Sequence, residues 1–448
     1  MSRLMRSISG IRGIVGESLT PPILLNYLNA FLQVTKASKV VIGRDTRVSG
    51  PMVESLIIQG CIASGVEPII LGISSTPTVE MMVTELKADG GIIITASHNP
   101  VEWNALKFLN NQGVFLKEAK IQELFALVDE EKFKWVDYKK ASSIKEVKAK
   151  SGDSFHVEKI LDLDCINTNL IRGKKYKVAY DAVNGAGSLI VPMLLKKLGC
   201  EIVEINTEPT GIFAHNAEPV PESLGQLSKT VKDHNCDIGF ATDPDADRLA
   251  IVSDKGEAIG EEYTLVLATQ LILNKEKGPI TVNLSTSRMN EDIAKKYGVR
   301  CYRAKVGEIN VSEAMMENKS IIGGEGNGGV ILPKLHYGRD GILAVAMILQ
   351  LMAEEDKSLS ELVKEIPAYT IEKQKVSIED KPINKVFGRL MAKFQDIPVN
   401  EQDGIRFDWG DRWVHIRASN TEPVIRIIAE APSAVEAKDL CAQIAEEI

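Results

Sequence analysis

Four stretches of the chain bring together residue types that do chemistry. The first is TASHNP at residues 95–100, which sets a hydroxyl directly beside an imidazole, Ser97 before His98. A serine nucleophile needs a base within hydrogen-bond reach. Adjacent residues of an extended chain point to opposite sides, so His98 is not expected to serve Ser97 directly. The flanks also lack the glycines of the G-x-S-x-G elbow, which counts against a Ser-His-Asp hydrolase. The preceding GGIIITA reads as a buried strand and Pro100 suits a first helical turn, which predicts a strand-to-helix turn at Ser97. The plainer alternative is that Ser97 and Asn99 only cap that helix.

The second stretch, DIGFATDPDADRLAIV at residues 237–252, sets Asp243, Asp245 and Asp247 between two apolar strands. Carboxylates at i, i+2 and i+4 of an extended chain fall on one side, and Pro244 pushes Asp243 toward that conformation. Three anions held together need a cation. An EF-hand loop is excluded, because its glycine and glutamate positions hold Arg248 and Asp254. With no His or Cys nearby, the donor set favours Mg²⁺ over Zn²⁺ or Ca²⁺; an acidic solvated turn is the alternative. The third stretch, IIGGEGNGGVILP at residues 321–333, lacks the Lys-Ser/Thr of a phosphate-binding P-loop. Glu325 and Asn327 alternate along it and could offer an acceptor and an amide to sugar hydroxyls, where a plain flexible loop is the other reading. In the fourth, IRASNTEPVIRI at residues 416–427, Arg417 and Arg426 bracket Ser419, Asn420 and Thr421. Hydroxyls, loop N–H groups and guanidinium forks are donors a phosphate accepts well, each charge-assisted bond contributing roughly 1.5–3 kcal/mol. The two arginines could otherwise be solvated strand residues. A fifth stretch, VNGAGSLI, misses the dinucleotide fingerprint because Ile190 stands in the last glycine's place, and reads as a turn.

The elements that must position these loops follow one layout three times. KVVIGRDTRVSG runs on to ASGVEPIIL, KVAYDAVNGAGS to KLGCEIVEI, and PITVNLSTSRM to KYGVRCYRA. Each is an apolar strand, a polar loop, a helical stretch and a second strand entered through a glycine, which predicts three α/β units. Residues 139–154 are charged and small and read as an interdomain connection. After Pro367 the pattern becomes strand, helix, strands and a closing helix, a small α+β domain. The expected domains are 1–154 with the serine loop, 155–254 with the aspartate loop, 255–367 with the Glu325 loop and 368–448 with the Arg417 loop. A chain of 448 residues has room for three or four domains of roughly 100–150 residues.

No apolar run approaches the roughly 18 residues of a membrane span, and MSRLMRSISG has basic residues with no apolar segment behind them. A cytoplasmic location is expected. The net charge of −8 gives nucleic acid and anionic membranes no global attraction. Six scattered cysteines without a CxxC pair indicate neither zinc nor a disulfide framework.

TASHNP, DPDADR, GGEGNGG and RASNTEP, in this order over the whole chain, resemble the four signature loops of the α-D-phosphohexomutase family. The resemblance implies three similar α/β domains, each a mixed sheet between helices, and a C-terminal α+β domain of TATA-binding-protein-like fold, around a central cleft. It implies that Ser97 carries a phosphoryl group and that Asp243, Asp245 and Asp247, with that phosphate on Ser97, hold Mg²⁺. Arg12, His98, Lys107 and Arg248 would line the reacting centre. Lys305, Glu325 and Asn327 would face the sugar, and Arg417, Ser419, Asn420, Thr421 and Arg426 its non-reacting phosphate. The implied reaction shifts phosphate between the 6- and 1-hydroxyls of a hexose or hexosamine through a hexose 1,6-bisphosphate, which also activates the enzyme. The expected protein is a monomer or homodimer whose partner is a small sugar phosphate. Glucosamine phosphate is the expected substrate, with mannose and glucose phosphates the alternative; a Mg²⁺-dependent phosphatase and a non-catalytic sugar-phosphate sensor are the readings from other classes. The chain departs from the family at Asn327 and Gly329, where many bacterial members carry a serine and a histidine. It departs again at Ala105, where a glycine is usual, and at SISGIRG in the N-terminal loop. His336 is the expected substitute for the missing sugar contact.

Overall fold

The computed structural model describes residues 4–141, 148–149, 151–377, 383–418 and 424–448. Among them the chain forms four sheets. The first contains β1 (Met5–Ser7), β2 (Gly10–Ile14), β3 (Lys39–Arg44), β4 (Glu67–Ile73), β5 (Gly90–Ile94), β6 (Trp103–Asn110) and β7 (Lys148–Ala149), in the order β1-β2-β6-β5-β3-β4-β7. The second contains β8 (Lys177–Asp181), β9 (Glu201–Ile205), β10 (Ile238–Thr242) and β11 (Leu249–Val252), in the order β11-β10-β8-β9. The third contains β12 (Ile280–Asn283), β13 (Cys301–Ala304), β14 (Ile322–Glu325) and β15 (Gly329–Ile331), in the order β13-β12-β14-β15.

These three sheets share one core: three parallel strands followed by one antiparallel strand. β3 is flanked by β4 and β5, β8 by β9 and β10, and β12 by β13 and β14, all parallel. β6, β11 and β15 then add antiparallel to β5, β10 and β14. The repeated strand, helix and strand read in the sequence are the pairs β3/β4, β8/β9 and β12/β13. β5, β10, β12 and β14 are buried along their whole length, as expected of sheet interiors covered on both faces.

The helix after β5 does not exist: β5 turns straight into β6 as an antiparallel hairpin. Pro100 sits in the hairpin loop, and WNALKFLN is a strand buried through its middle rather than on alternate residues. The connection read at residues 139–154 is partly structured. Lys148–Ala149 pairs parallel to β4, and Asp153 opens the helix Asp153–Leu161, while 142–147 and 150 lie outside the described residues.

The first domain has a core on each face of its sheet, with Leu28, Phe31 and Phe108 on one side and Val79, Val83 and Phe115 on the other. The second and third domains share a single continuous core. Their link is the helix Gly341–Glu355, apolar almost all round and buried from Gly341 to Ala353, as a helix enclosed on every side must be. The fourth sheet is antiparallel, with β16 (Thr370–Ser377), β17 (Val399–Asn400), β18 (Ile405–Asp408), β19 (Trp413–Ala418) and β20 (Val424–Ala431) in the order β16-β20-β19-β18-β17. The helices Ile383–Lys393 and Ala434–Ala445 supply Val386, Leu390, Leu440 and Ile444 to its core. No helix among the described residues is long and apolar enough to cross a membrane.

Candidate active site

All four sequence motifs occupy hairpin connections, β5–β6, β10–β11, β14–β15 and β19–β20. In the three α/β domains each follows the carboxyl end of a parallel strand, where open sheets of this kind bind ligands. Residues of all four domains line one cavity of about 360 Å³. Ser97, His98, Lys107 and Arg12 enter from the first domain, Arg248 from the second, Glu325 and Asn327 from the third, and Arg417 and Arg426 from the fourth.

Ser97 adopts a left-handed backbone, φ 51°. For a residue with a Cβ that conformation costs about 1–3 kcal/mol and persists only where the surroundings enforce it. The enforcement is visible. Thr95 Oγ1 accepts from Ser97 N at 2.9 Å. The fully buried Arg47 donates to Ser97 O at 2.5 Å, Asn99 O at 2.7 Å, Pro100 O at 2.6 Å and Trp103 O at 3.1 Å, with its Nε on Asp45 Oδ2 at 3.0 Å. Sequence reading passed over Arg47, and GRDTR was its only cue.

The left-handed turn changes the relation of Ser97 to its neighbour. Ser97 Oγ lies 3.3 Å from His98 Nδ1, although alternation in an extended chain would have separated them. Ser97 Oγ also donates to Asp243 Oδ2 at 2.9 Å. Burial and the charges of Arg248 and Arg12 push the His98 imidazole down to about 2, so it is neutral at physiological pH and one ring nitrogen is free to accept a hydrogen bond. Arg12 in turn donates to Asn99 Oδ1, which holds the loop from its open side.

Asp243, Asp245 and Asp247 are fully buried, and one carboxylate oxygen from each lies within 4.8 Å of the others. The chain between them is not extended. Ala246 is left-handed at φ 55° and its N–H returns to Asp243 O at 3.0 Å, so a tight turn, not strand alternation, brings the three together. The VNGAGSLI turn supports this loop from behind. Ala186 N donates to Pro244 O at 2.7 Å, and a Cβ on Gly185 would come within 2.6 Å of Pro244.

Asp245 Oδ1 and Asp247 Oδ1 are buried without a hydrogen-bond partner among the described residues. Burial and the charges of Asp247 and Asp245 hold the Asp243 carboxyl well above its ordinary range. On Asp245 burial is overcome by Lys107, whose Nζ donates to Oδ2 at 2.7 Å, and its carboxyl is held far down. Orphaned oxygens in an all-oxygen set, under mutual repulsion, fit a hard divalent cation such as Mg²⁺.

In the third domain, Glu325 Oε1 accepts from Asn283 Nδ2 at 2.8 Å and Gly307 N at 2.9 Å. Arg417 and Arg426 face each other across β19 and β20 as register partners. Ser419, Asn420 and Thr421 lie outside the described residues. Lys305 is exposed and does not line the cavity. His336 is not a sugar contact either. It is half-buried away from the cavity, with Nε2 on Asp340 at 3.0 Å and Nδ1 3.4 Å from Glu80. Burial works against its charge, but hydrogen bonds to Asp340 and Glu80 hold it up at about 10. With His156 and the helix-capping Asp340 it forms a cluster of two imidazoles and a carboxylate whose ligand atoms lie within 4.8 Å of one another. Glu308, Arg339, Glu262 and Lys373 also line the cavity and were missed, because nothing near them in the sequence forms a recognisable pattern.

The chain matches the descriptions "Phosphoglucomutase/phosphomannomutase, alpha/beta/alpha domain" I at residues 4–135, II at 154–256 and III at 260–369, and the C-terminal domain at 372–447. A phosphoglucomutase/phosphomannomutase of Thermococcus kodakarensis is 37% identical over 96% of this chain and 95% of its own length. A probable phosphoglucosamine mutase of Methanopyrus kandleri is 36% identical over the same shares, 96% and 95%. Among solved structures, a phosphoglucomutase/phosphomannomutase family protein from Burkholderia thailandensis is 26% identical, with a TM-score of 0.85 over 99% of this chain and 97% of its own.

Proposed function

Because the chain belongs to the phosphoglucomutase/phosphomannomutase family of phosphohexomutases, we propose that Ser97 is its phosphoryl carrier and that it interconverts the 6- and 1-phosphates of glucosamine. One observation carries the reading. The Ser97 hydroxyl, held at 2.9 Å from the three-aspartate cluster, opens into the same cavity as Glu325, Asn327, Arg417 and Arg426 of two other domains. A sugar phosphate held at one end by the two arginines would thus present its free hydroxyl to the serine.

Phosphoserine donates its phosphoryl group to that hydroxyl, the sugar 1,6-bisphosphate turns round, and the second phosphate returns to Ser97. His98, 3.3 Å from Oγ, is placed to hydrogen-bond the reacting hydroxyl. Arg12, Lys107 and Arg248 surround the same point and neutralise the charge of the transferring group, which positioning and electrostatics must stabilise. Asp243, Asp245 and Asp247, with a phosphate oxygen on Ser97, would hold Mg²⁺, which when bound polarises the transferring group as a Lewis acid. The two arginines, with Ser419, Asn420 and Thr421, hold the non-reacting phosphate; Lys305 reaches the sugar only if the cleft closes on it.

Glu325, Glu308 and Glu262 all line the cavity. Burial pushes Glu308 up to about 8 and Glu262 well above its ordinary range, so Glu325, which Arg339 holds below its ordinary range, is the carboxylate this reading sets against the ammonium of a hexosamine. The T. kodakarensis relative's name supports the second reading, dual action on mannose and glucose phosphates.

Intact-mass measurement after incubation with a hexose 1,6-bisphosphate and Mg²⁺ tests the core of the reading. One phosphoryl group should add and map to Ser97; Ser97→Ala should neither gain mass nor turn over substrate. A wild-type chain that never gains the phosphoryl group sinks the proposal. Coupled assays with the 6-phosphates of glucosamine, mannose and glucose decide the sugar, and free phosphate released in place of isomer would mean a phosphatase.

A further inference from the structure

The sugar-side turn ends at Gly329, and the place its side chain would take is already filled. A Cβ on Gly329 would lie 2.3 Å from Cδ and 2.9 Å from Cγ of Arg339. The aliphatic stem of Arg339 thus packs where a side chain from position 329 would stand, and its guanidinium projects from there into the wall of the cavity. It meets three carboxylates at once: Nη1 donates to Glu325 Oε2 at 2.7 Å, Nη2 to Asp247 Oδ2 at 2.6 Å and Nε to Glu308 Oε2 at 3.2 Å.

The arginine is fixed from behind as well. Its backbone N–H donates to Glu308 Oε1 at 3.0 Å. The preceding Gly338 lies so close to Glu80 that a Cβ would come within 1.6 Å of the carboxylate. The following Asp340 caps the helix Gly341–Glu355 through Leu343 N and takes hydrogen bonds from His156 at 2.8 Å and His336 at 3.0 Å. A side chain anchored on both sides and at its tip has little freedom to be a solvated counter-charge.

Glu325 depends on it unequally. Among the described residues Oε1 has two firm donors in Asn283 and Gly307, whereas Oε2 has Arg339 and, beyond it, only Asn327 Nδ2 at 3.5 Å. We propose that Arg339 is the positioning residue for sugar recognition: it fixes the orientation of the Glu325 carboxylate toward the bound sugar and ties that carboxylate to the Asp247 loop of the neighbouring domain. This rests on the phosphohexomutase reading above. The electrostatics agree. Burial alone would raise the Glu325 carboxyl, and Arg339 is the leading influence that brings it down.

The test is Arg339→Met in the full chain at saturating Mg²⁺, with Ser97 phosphorylation by a hexose 1,6-bisphosphate followed by intact mass beside steady-state kinetics on glucosamine 6-phosphate. Ser97 should still be phosphorylated, KM should rise at least about tenfold, and kcat should stay within about threefold. Arg339→Lys, which keeps a cation but not the fork, should recover part of the KM. Gly329→Ala, which pushes a methyl group into the arginine stem without touching its charge, should raise KM in the same direction and covers the case in which Arg339→Met does not fold. An unchanged KM in a folded Arg339→Met, or in Gly329→Ala, overturns the proposal. Failure of the wild-type chain to become phosphorylated overturns the functional reading instead.

Discussion

Replacing Arg47 with methionine separates the geometry of the serine loop from the chemistry of the site. Arg47 touches no cavity-lining atom of the sugar side, yet it donates to four backbone carbonyls between Ser97 and Trp103 and to Asp45. Hydrogen bonds from a charged donor contribute about 1.5–3 kcal/mol each, and five on one residue do not add. Removing one partner of a buried ion pair costs roughly 3–5 kcal/mol. Burial already raises the Asp45 carboxyl, so protonation of Asp45 should relieve part of this and place the loss near the lower end. The catalytic effect should be larger than the folding effect implies. Without Arg47 nothing holds Ser97 O in the left-handed turn, and a displacement of about 1 Å at the reacting atom lowers rate about 100-fold. We expect kcat to fall about 10²- to 10³-fold, or about 2.7–4 kcal/mol of barrier, with the sugar-phosphate KM within about threefold. The assay is single-turnover transfer from phosphorylated enzyme, beside thermal melts to show that the variant is folded. Arg47→Lys, which can reach only some of the carbonyls, should fall between. A folded Arg47→Met with kcat within threefold of wild type would refute the argument that the loop conformation is enforced by these carbonyl contacts.

Three further outcomes follow from the same geometry. His336, at about 10 in the folded protein against an ordinary 6.5, stabilises fully below about pH 6.5 and loses that contribution as pH rises toward 10; Glu80, displaced upward by burial, acts in the same sense, so the melting temperature should fall along that limb and the fall should flatten in His336→Gln. Mg²⁺ should raise the melting temperature by mass action, about 2.7 kcal/mol at a hundredfold excess over its dissociation constant, and Asp245→Asn should abolish the rise; an equal rise in that variant would place the ion elsewhere. Gly338→Ala should destabilise strongly, because its Cβ would come within 1.6 Å of Glu80, and Glu80→Ala should restore the melting temperature of the double variant.

The four loops were legible because each concentrates unusual residues within a dozen positions. The strand, helix and strand units were legible from period and glycine placement, and the third domain's short strands still matched that pattern. The second apolar strand after the aspartates, β11, was legible as LAIV, but the antiparallel fourth strands of the first and third units were not. β15 has three residues, too short to show a period, and Pro100 before β6 carried the signal of a helix start. Mistaking a hairpin for a strand-to-helix turn also led to the wrong relation of Ser97 to His98, since alternation applies to extended chain and Ser97 is left-handed.

The buried cations were hidden for a different reason. Arg47 reaches Ser97 O 50 positions away, and Arg339 reaches Glu325, Glu308 and Asp247 at 14, 31 and 92 positions, and no local period marks such pairs. Each nonetheless stands within two residues of an aspartate in a short segment entered through a glycine, GRDTR at 43–47 and GRDG at 338–341. In both, a close approach explains a flanking glycine: a Cβ on Gly43 would meet Val79 at 2.4 Å, and one on Gly338 would meet Glu80. Such a segment lets a charged fork enter a packed interior while a neighbouring carboxylate anchors the backbone that presents it. The two arginines therefore do for the loops what the catalytic motifs cannot do for themselves. Arg47 fixes the serine turn within the first domain, and Arg339 joins the second domain's aspartates to the third domain's sugar loop. The three α/β domains, with Ile309 of the third packed into a core of the first, thus present their loops to one cavity in a fixed relation.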